Sequence, residues 1–141
     1  MIIKQLSVFL ENKSGRLTEL TETLGQAGIN MSALCIADTS EFGIIRIMVS
    51  DPEEALRVLR EKGFTVKLTD VICLEIPNKP GALARALKVL SREGISVEYM
   101  YAFSMNEKSL IVIRTEDIEN TIELLKKNDV ELLGAGELYN T

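Results

Sequence analysis

The apolar residues change period several times along the chain, and Gly, Pro, Asn or Asp marks each change. Ile2 to Leu10 is a β-rich run that ends in Glu11-Asn12-Lys13-Ser14-Gly15, a strand entering a turn. Leu17, Leu20, Leu24 and Ala27 then recur at helical spacing, and Gly28 stands where a helix C-terminus favours glycine. Ile29 to Ala37 predicts a second strand, Asp38-Thr39-Ser40-Glu41 a hairpin turn, and Gly43 to Val49 a third strand. Asp51-Pro52-Glu53-Glu54 carries the start signals of a second helix: an N-cap aspartate, proline in first position and glutamate in the first turn. Leu56 and Leu59 give that helix its core stripe, Gly63 stops it, and Phe64 to Leu68 predicts a fourth strand.

The series then returns sixty-six residues later, without a gap. Asn78-Lys79-Pro80-Gly81-Ala82-Leu83 falls on Asn12-Lys13-Ser14-Gly15-Arg16-Leu17, Gly94-Ile95 on Gly28-Ile29, and Asp117 and Glu119 on Asp51 and Glu53. The second copy reads as a strand over Val71 to Ile76 and a helix from Pro80 carrying Leu83, Leu87 and Leu90. Ile95 to Phe103 and Leu110 to Arg114 follow, paired across Met105-Asn106-Glu107-Lys108. A helix with Ile118, Ile122 and Leu125 leads to a last strand near Val130 to Leu133. Val97, Tyr99, Tyr101 and Phe103 alternate, which predicts all four on one face. Twice βαββαβ places the chain in the α+β class, as two ferredoxin-like domains over 1–69 and 70–141. A copy of this size buries only about 60% of its unfolded surface. The two are therefore expected to pack together as a pseudo-dimer, with Thr69-Asp70 separating their sheets.

Composition narrows the function. A formal charge of −5 over 141 residues, with Lys and Arg scattered among acids, argues against nucleic acid, whose phosphates demand clustered cations. No apolar run approaches the ~20 residues that span a bilayer, so no membrane role is expected. Met1 to Leu6 enters a strand pattern directly rather than a signal-peptide layout, so the cytoplasm is the expected location. The chain has no histidine, which removes the commonest general base and the commonest zinc ligand together. Cys35 and Cys73 are far apart and read as small hydrophobes in strands, and neither a metal nor a cofactor is expected.

The residues that carry chemistry lie in the first turn of each copy. A glycine at a helix start lets the backbone approach a ligand closely. The helix N-terminus offers unpaired N–H groups and a positive dipole end, which attract a carboxylate. An asparagine beside them supplies a donor and an acceptor, enough to orient a small zwitterion.

Each copy resembles an ACT domain, whose hallmark is a turn of Asp/Asn-x-Pro-Gly-x-Leu type, a helix, and Gly-Ile-Asn-Ile opening the second strand. The matching segments are Asn78 to Leu83 with Gly94-Ile95-Ser96-Val97, and Asn12 to Leu17 with Gly28-Ile29-Asn30-Met31. The resemblance implies a non-catalytic regulatory protein that binds a free amino acid where the turn of one copy meets the second strand of another. It implies two composite sites: Asn78, Gly81 and Leu83 with Asn30 and Met31, and Asn12, Gly15 and Leu17 with Ser96 and Val97. The first turn has Ser14 in the proline position, and the second copy has Ser96 in the asparagine position. The site built on Asn78 is therefore expected to be the tighter. Serine-binding relatives carry histidine two residues before the turn asparagine. Here that position is Leu10 or Ile76, so an apolar contact is expected instead. The family also implies a homo-oligomer, most simply a homodimer, and regulation of an enzyme or transcription factor in trans.

Other functions of the same fold need residues that are missing. Acylphosphatase-type catalysis needs an arginine and a phosphate cradle in the first turn, and Arg16 has Ala82 as its counterpart. RNA recognition by the sheet needs exposed aromatics and basic charge, yet Phe9 is matched by Glu75. A heavy-metal carrier needs Cys-x-x-Cys. The alternative that stays open is a protein-interaction module that regulates its partner without a small ligand.

Overall fold

The computed structural model describes residues 1–11, 13–38 and 42–139. Its elements are β1 (Ile3–Glu11), α1 (Arg16–Gln26), β2 (Met31–Asp38), β3 (Phe42–Val49), α2 (Pro52–Glu61), β4 (Thr65–Pro77), α3 (Ala82–Arg92), β5 (Val97–Met105), β6 (Lys108–Thr115), α4 (Ile118–Lys127), β7 (Glu131–Leu133) and α5 (Ala135–Tyr139). The sixty-six-residue offset holds for structure as well as sequence: α1 maps onto α3, β3 onto β6 and α2 onto α4, end to end. The chain divides into two compact units, Lys4–Thr69 and Asp70–Thr141 with Met1–Ile3. The turn expected at Asp38-Thr39-Ser40-Glu41 lies, beyond Asp38, outside the described residues.

In the first unit the strand order is β2-β3-β1-β4, with β1 and β2 both antiparallel to β3. Leu6, Val8 and Leu10 of β1 and Ile45, Ile47 and Val49 of β3 point to one face. Leu20 and Leu24 of α1 and Ala55 and Leu59 of α2 close over that face. Each leucine, isoleucine or valine side chain so removed from water contributes about 1.5–3 kcal/mol, which is why the helices lie on the sheet. The N-terminus of α2 follows its start signals: the Asp51 side chain accepts from the Glu54 N–H at 3.2 Å, and Pro52 occupies the first turn. Asp117 repeats this at α4, accepting from the Asn120 N–H at 3.1 Å.

The second unit has the matching order β5-β6-β4-β7. Ile72, Leu74 and Ile76 of β4 and Ile111 and Ile113 of β6 pack under α3 and α4. The α3 core line is Ala82, Ala86 and Leu90, and Leu83 and Leu87 are only partly buried beside it. α3 begins at Ala82 rather than at Pro80, because Gly81 takes the cap position with φ 84°.

Four expectations need correction or extension. β4 runs unbroken through Thr69 and Asp70, where two separate strands were expected. Val97 does not share a face with Tyr99, Tyr101 and Phe103: a β-bulge between Val97 and Tyr99 resets the alternation, so Val97 pairs with Thr115 and packs on the core. The same bulge recurs in β2 between Met31 and Ala33. The helical spacing that Leu17 and Ala27 share with Leu20 and Leu24 does not extend to burial: both are exposed at the ends of α1, Leu17 at 41%. Finally, β7 is followed by α5, whose Leu138 is buried and donates its N–H to the Gly134 carbonyl.

Candidate functional site

Each helix entrance is built within a single unit. In the second unit the turn is held at both ends. The Asn78 N–H donates to the Glu107 carbonyl at 2.8 Å, tying the turn to the β5–β6 hairpin. The Ala82 N–H donates to the Lys79 carbonyl at 3.2 Å. Gly81 stands between them in the left-handed region, which a residue with Cβ rarely adopts. The cap makes no side-chain hydrogen bond, and among the described residues nothing accepts from the N–H groups of Leu83 and Ala84. Asn78 and Gly81 are exposed, and Leu83 is half-buried at the edge of the core. The Arg85 guanidinium reaches back along the helix, with Nη1 3.3 Å from where a Gly81 Cβ would stand. Among the described residues Arg85 has no acidic partner. Backbone donors, a dipole end and a cation thus converge on one exposed turn, an arrangement that suits a carboxylate.

The entrance of the first unit has the same backbone. Gly15 has φ 88°, the Arg16 N–H donates to the Lys13 carbonyl at 3.2 Å, and the Glu19 N–H to the Gly15 carbonyl at 2.9 Å. Asn12 lies outside the described residues. The charges differ from those of the other entrance. Arg16 donates to the Glu19 carboxylate at 2.8 Å, and its guanidinium carbon lies 4.6 Å from the centre of the Phe64 ring, a cation–π contact. Arg16 Nε is buried without a hydrogen-bond partner among the described residues. Lys13 pairs with Glu11 at 2.8 Å, and the hydrogen bond and charge of that lysine hold the Glu11 carboxyl below its usual range.

Beside this turn lies a recess of about 110 Å³. Leu10, Leu17, Ile36, Gly43 and Ile45 line it, and Glu11 and Lys13 form its rim. Of these, Leu17 as a site residue and Leu10 as an apolar contact are expected from the family resemblance. Ile36 and Gly43 belong to strands expected merely to pair, and nothing in a linear pattern brings them beneath the turn.

The second-strand residues fall at strand entries. Asn30 is exposed, and both of its backbone groups are already hydrogen-bonded: its N–H donates to Ser50 Oγ at 3.0 Å and its carbonyl accepts from the Ser50 N–H at 2.9 Å. Its side chain is left exposed. Met31 and Val97 are half-buried against their own cores, and Ser96 is exposed. Met31 and Val97 thus serve packing within their own units first. Among the described residues no group of three His, Cys, Asp or Glu side chains could hold a metal ion, and no helix is long and apolar enough to cross a membrane.

A family model described as "ACT domain pair" matches residues 1–140. Among solved structures, the chain is similar to protein BT0572 from Bacteroides thetaiotaomicron, at 52% identity and TM-score 0.96, with 100% of this chain and 98% of that one covered. It is similar in fold to the ligand-free regulatory subunit of aspartate kinase from Thermus thermophilus, at 16% identity and TM-score 0.66, covering 88% and 91% of the two chains. The corresponding subunit from Thermus flavus gives 16% identity and TM-score 0.61, covering 88% and 90%. A comparison with curated proteins gives no match.

Proposed function

The chain belongs to the ACT domain pair family, and on that premise we propose that it is a non-catalytic regulatory protein whose helix entrances bind a free amino acid. The family is a regulatory domain type that typically binds amino acids and is generally non-catalytic. The observation that carries the reading to this chain is the Gly81 entrance. Its left-handed cap leaves the Leu83 and Ala84 amides free among the described residues, with Arg85 alongside. Those donors take the ligand's carboxylate, and Asn78 orients its ammonium group. Asn30, Met31, Ser96 and Val97, with Asn12, Gly15 and Leu17, stay in the proposal as ligand contacts on the strength of the family resemblance. A sensor working near millimolar ligand needs only roughly −4 to −6 kcal/mol. A few charge-assisted hydrogen bonds at about 1.5–3 kcal/mol each, less the cost of association, are enough.

A thermal-unfolding screen of the full chain against the twenty amino acids tests the reading. A specific ligand at one hundred times its Kd adds about 2.7 kcal/mol to stability and raises Tm. If none of the twenty raises it, the sensor reading fails.

A second reading, regulation of an enzyme or transcription factor through protein contact alone, draws on one observation. The edge strands β2 and β5 keep apolar side chains in water, Leu34 at 46% and Met100 at 38% exposed. Such an edge serves self-association equally, and a homodimer formed in the cytoplasm is part of the proposal. Light scattering over a concentration series reads it directly.

A further inference from the structure

We infer that the recess beneath the first entrance takes the aliphatic side chain of an amino acid bound there, so that this entrance selects leucine-like ligands over small polar and charged ones. The inference rests on the amino-acid reading above and adds the ligand class to it.

Three observations lead there. The lining is apolar: Leu10 and Ile45 form a buried floor, and Leu17 and Ile36 form walls that are 41% and 49% exposed. Leu17 is itself a residue of the entrance, so a carboxylate held at the turn leaves the ligand's side chain within reach of the recess. The rim is electrically closed, because Lys13 and Glu11 neutralise each other at 2.8 Å. A charged ligand side chain therefore finds no free counter-ion there and would lose hydration on entering.

The recess has room because residue 43 is glycine. Gly43 stands opposite Leu10 in the register, and a Cβ built on it would make ordinary contact with Ile36 Cγ2 at 3.6 Å. Its φ is not positive, so nothing in the backbone demands glycine at this position. In the other copy the same position is Ser109, and Ile36 and Glu11 are replaced by Ala102 and Pro77. The combination of an open floor, two aliphatic walls and a neutral rim is thus particular to the first copy. By the usual measure a water fills about 10–15 Å³ of such space, so about 110 Å³ accommodates a branched four-carbon side chain.

Each carbon fully buried contributes about fourfold in affinity, and leucine carries three more than alanine. For a half-open recess we expect leucine, isoleucine or valine to bind at least about tenfold more tightly than alanine or serine. The test is methyl NMR on the full chain, titrated with L-leucine, L-isoleucine, L-valine, L-alanine, L-serine and L-lysine. The expected result is saturable shifts of the Leu10, Leu17, Ile36 and Ile45 methyls with the aliphatic ligands alone. Gly43→Val, which fills the recess, should weaken that binding at least about tenfold, and Gly43→Ser should weaken it less. Tm measured for both variants separates lost binding from lost folding.

Serine or lysine shifting the Leu10, Leu17, Ile36 and Ile45 methyls at lower concentration than leucine does overturns the inference and leaves the sensor reading standing. So does leucine binding that leaves these methyls unmoved or Gly43→Ser and Gly43→Val unaffected. Methyl shifts that follow protein concentration without ligand identify a second copy as the occupant and overturn it as well. If no amino acid moves any resonance, the sensor reading itself falls.

Discussion

At the first helix entrance Arg16 lies over Phe64 and is held by Glu19; at the second the corresponding residues are Ala82, Val130 and Arg85. The backbones are nearly superposable in their dihedrals, with φ 88° at Gly15 and 84° at Gly81. One copy uses a cation stacked on an aromatic ring and neutralised by an acid. The other fills the same place with two small apolar side chains, Ala82 being buried, and turns its cation toward the turn. Backbone form and electrostatic character are therefore set by different residues: the glycine cap decides the first, three positions around it the second. Duplication preserved the geometry of a helix start while its charge diverged.

The harshest way to break the comparison is to attack what the entrances share. Gly15→Val and Gly81→Val each force a β-branched residue into the left-handed region, at an expected cost of ~2 kcal/mol or more in urea unfolding, with loss of ligand binding. At Gly15 nothing lies within 4 Å of the new Cβ, whereas at Gly81 it meets Arg85 Nη1 at 3.3 Å, so the second variant should suffer slightly more.

A second divergence sits on the strands behind the entrances, where Ser7 of β1 corresponds to Cys73 of β4. Ser7 Oγ bonds Thr69 Oγ1 at 2.9 Å and accepts from Gln5 Nε2 at 3.0 Å. Cys73 is fully buried, and burial, with the nearby Glu75 charge, pushes its thiol from 9.0 up to about 12. Its folded pKa is raised, so this contribution is complete below pH 9 and is lost as pH rises toward 12. Between pH 8 and pH 10 the wild type should lose on the order of 1 kcal/mol that Cys73→Ala does not lose. Urea unfolding of both proteins at the two pH values measures the difference, and equal losses would refute it.

Charge exchange sharpens the electrostatic contrast. Arg85→Glu gives the second entrance the acid of the first and should weaken carboxylate binding there about tenfold or more, read by calorimetry. Asn78→Ala should cost more affinity than Asn12→Ala, on the order of tenfold against a few-fold. The reverse ranking would reassign the tighter site to the first turn.

The smallest effect concerns the ends of the second helices, where Gly63 corresponds to Asp129. Both are left-handed, at φ 87° and 58°, and only the aspartate has a Cβ to strain. Asp129→Gly should stabilise by about 0.5 kcal/mol in urea unfolding, and Gly63→Asp should destabilise.

Much of this was legible in the residue order. Asp51 and Asp117 announce their helices because a cap is a local hydrogen bond, complete within four residues. The turn residues Asn78 and Gly81 stand out because a helix entrance is local too. The exposure of Leu17 was not legible, since helical spacing places a residue on a face without revealing whether that face is covered at the helix end. Val97 misled because a bulge is one extra residue in a strand, invisible to a count of alternation until the partner strand is in place.

By itself, then, the residue order determined the duplication, the βαββαβ order, the helix caps and the two entrance motifs, each of which is written in the spacing or identity of residues along short stretches of chain. Only the tertiary structure decided which apolar residues stay in water, which way Arg16 and Arg85 point, and that Gly43 and Ile36 open a recess beside Leu17. Those outcomes depend on side chains tens of residues apart sharing one small volume, and no local pattern carries that information.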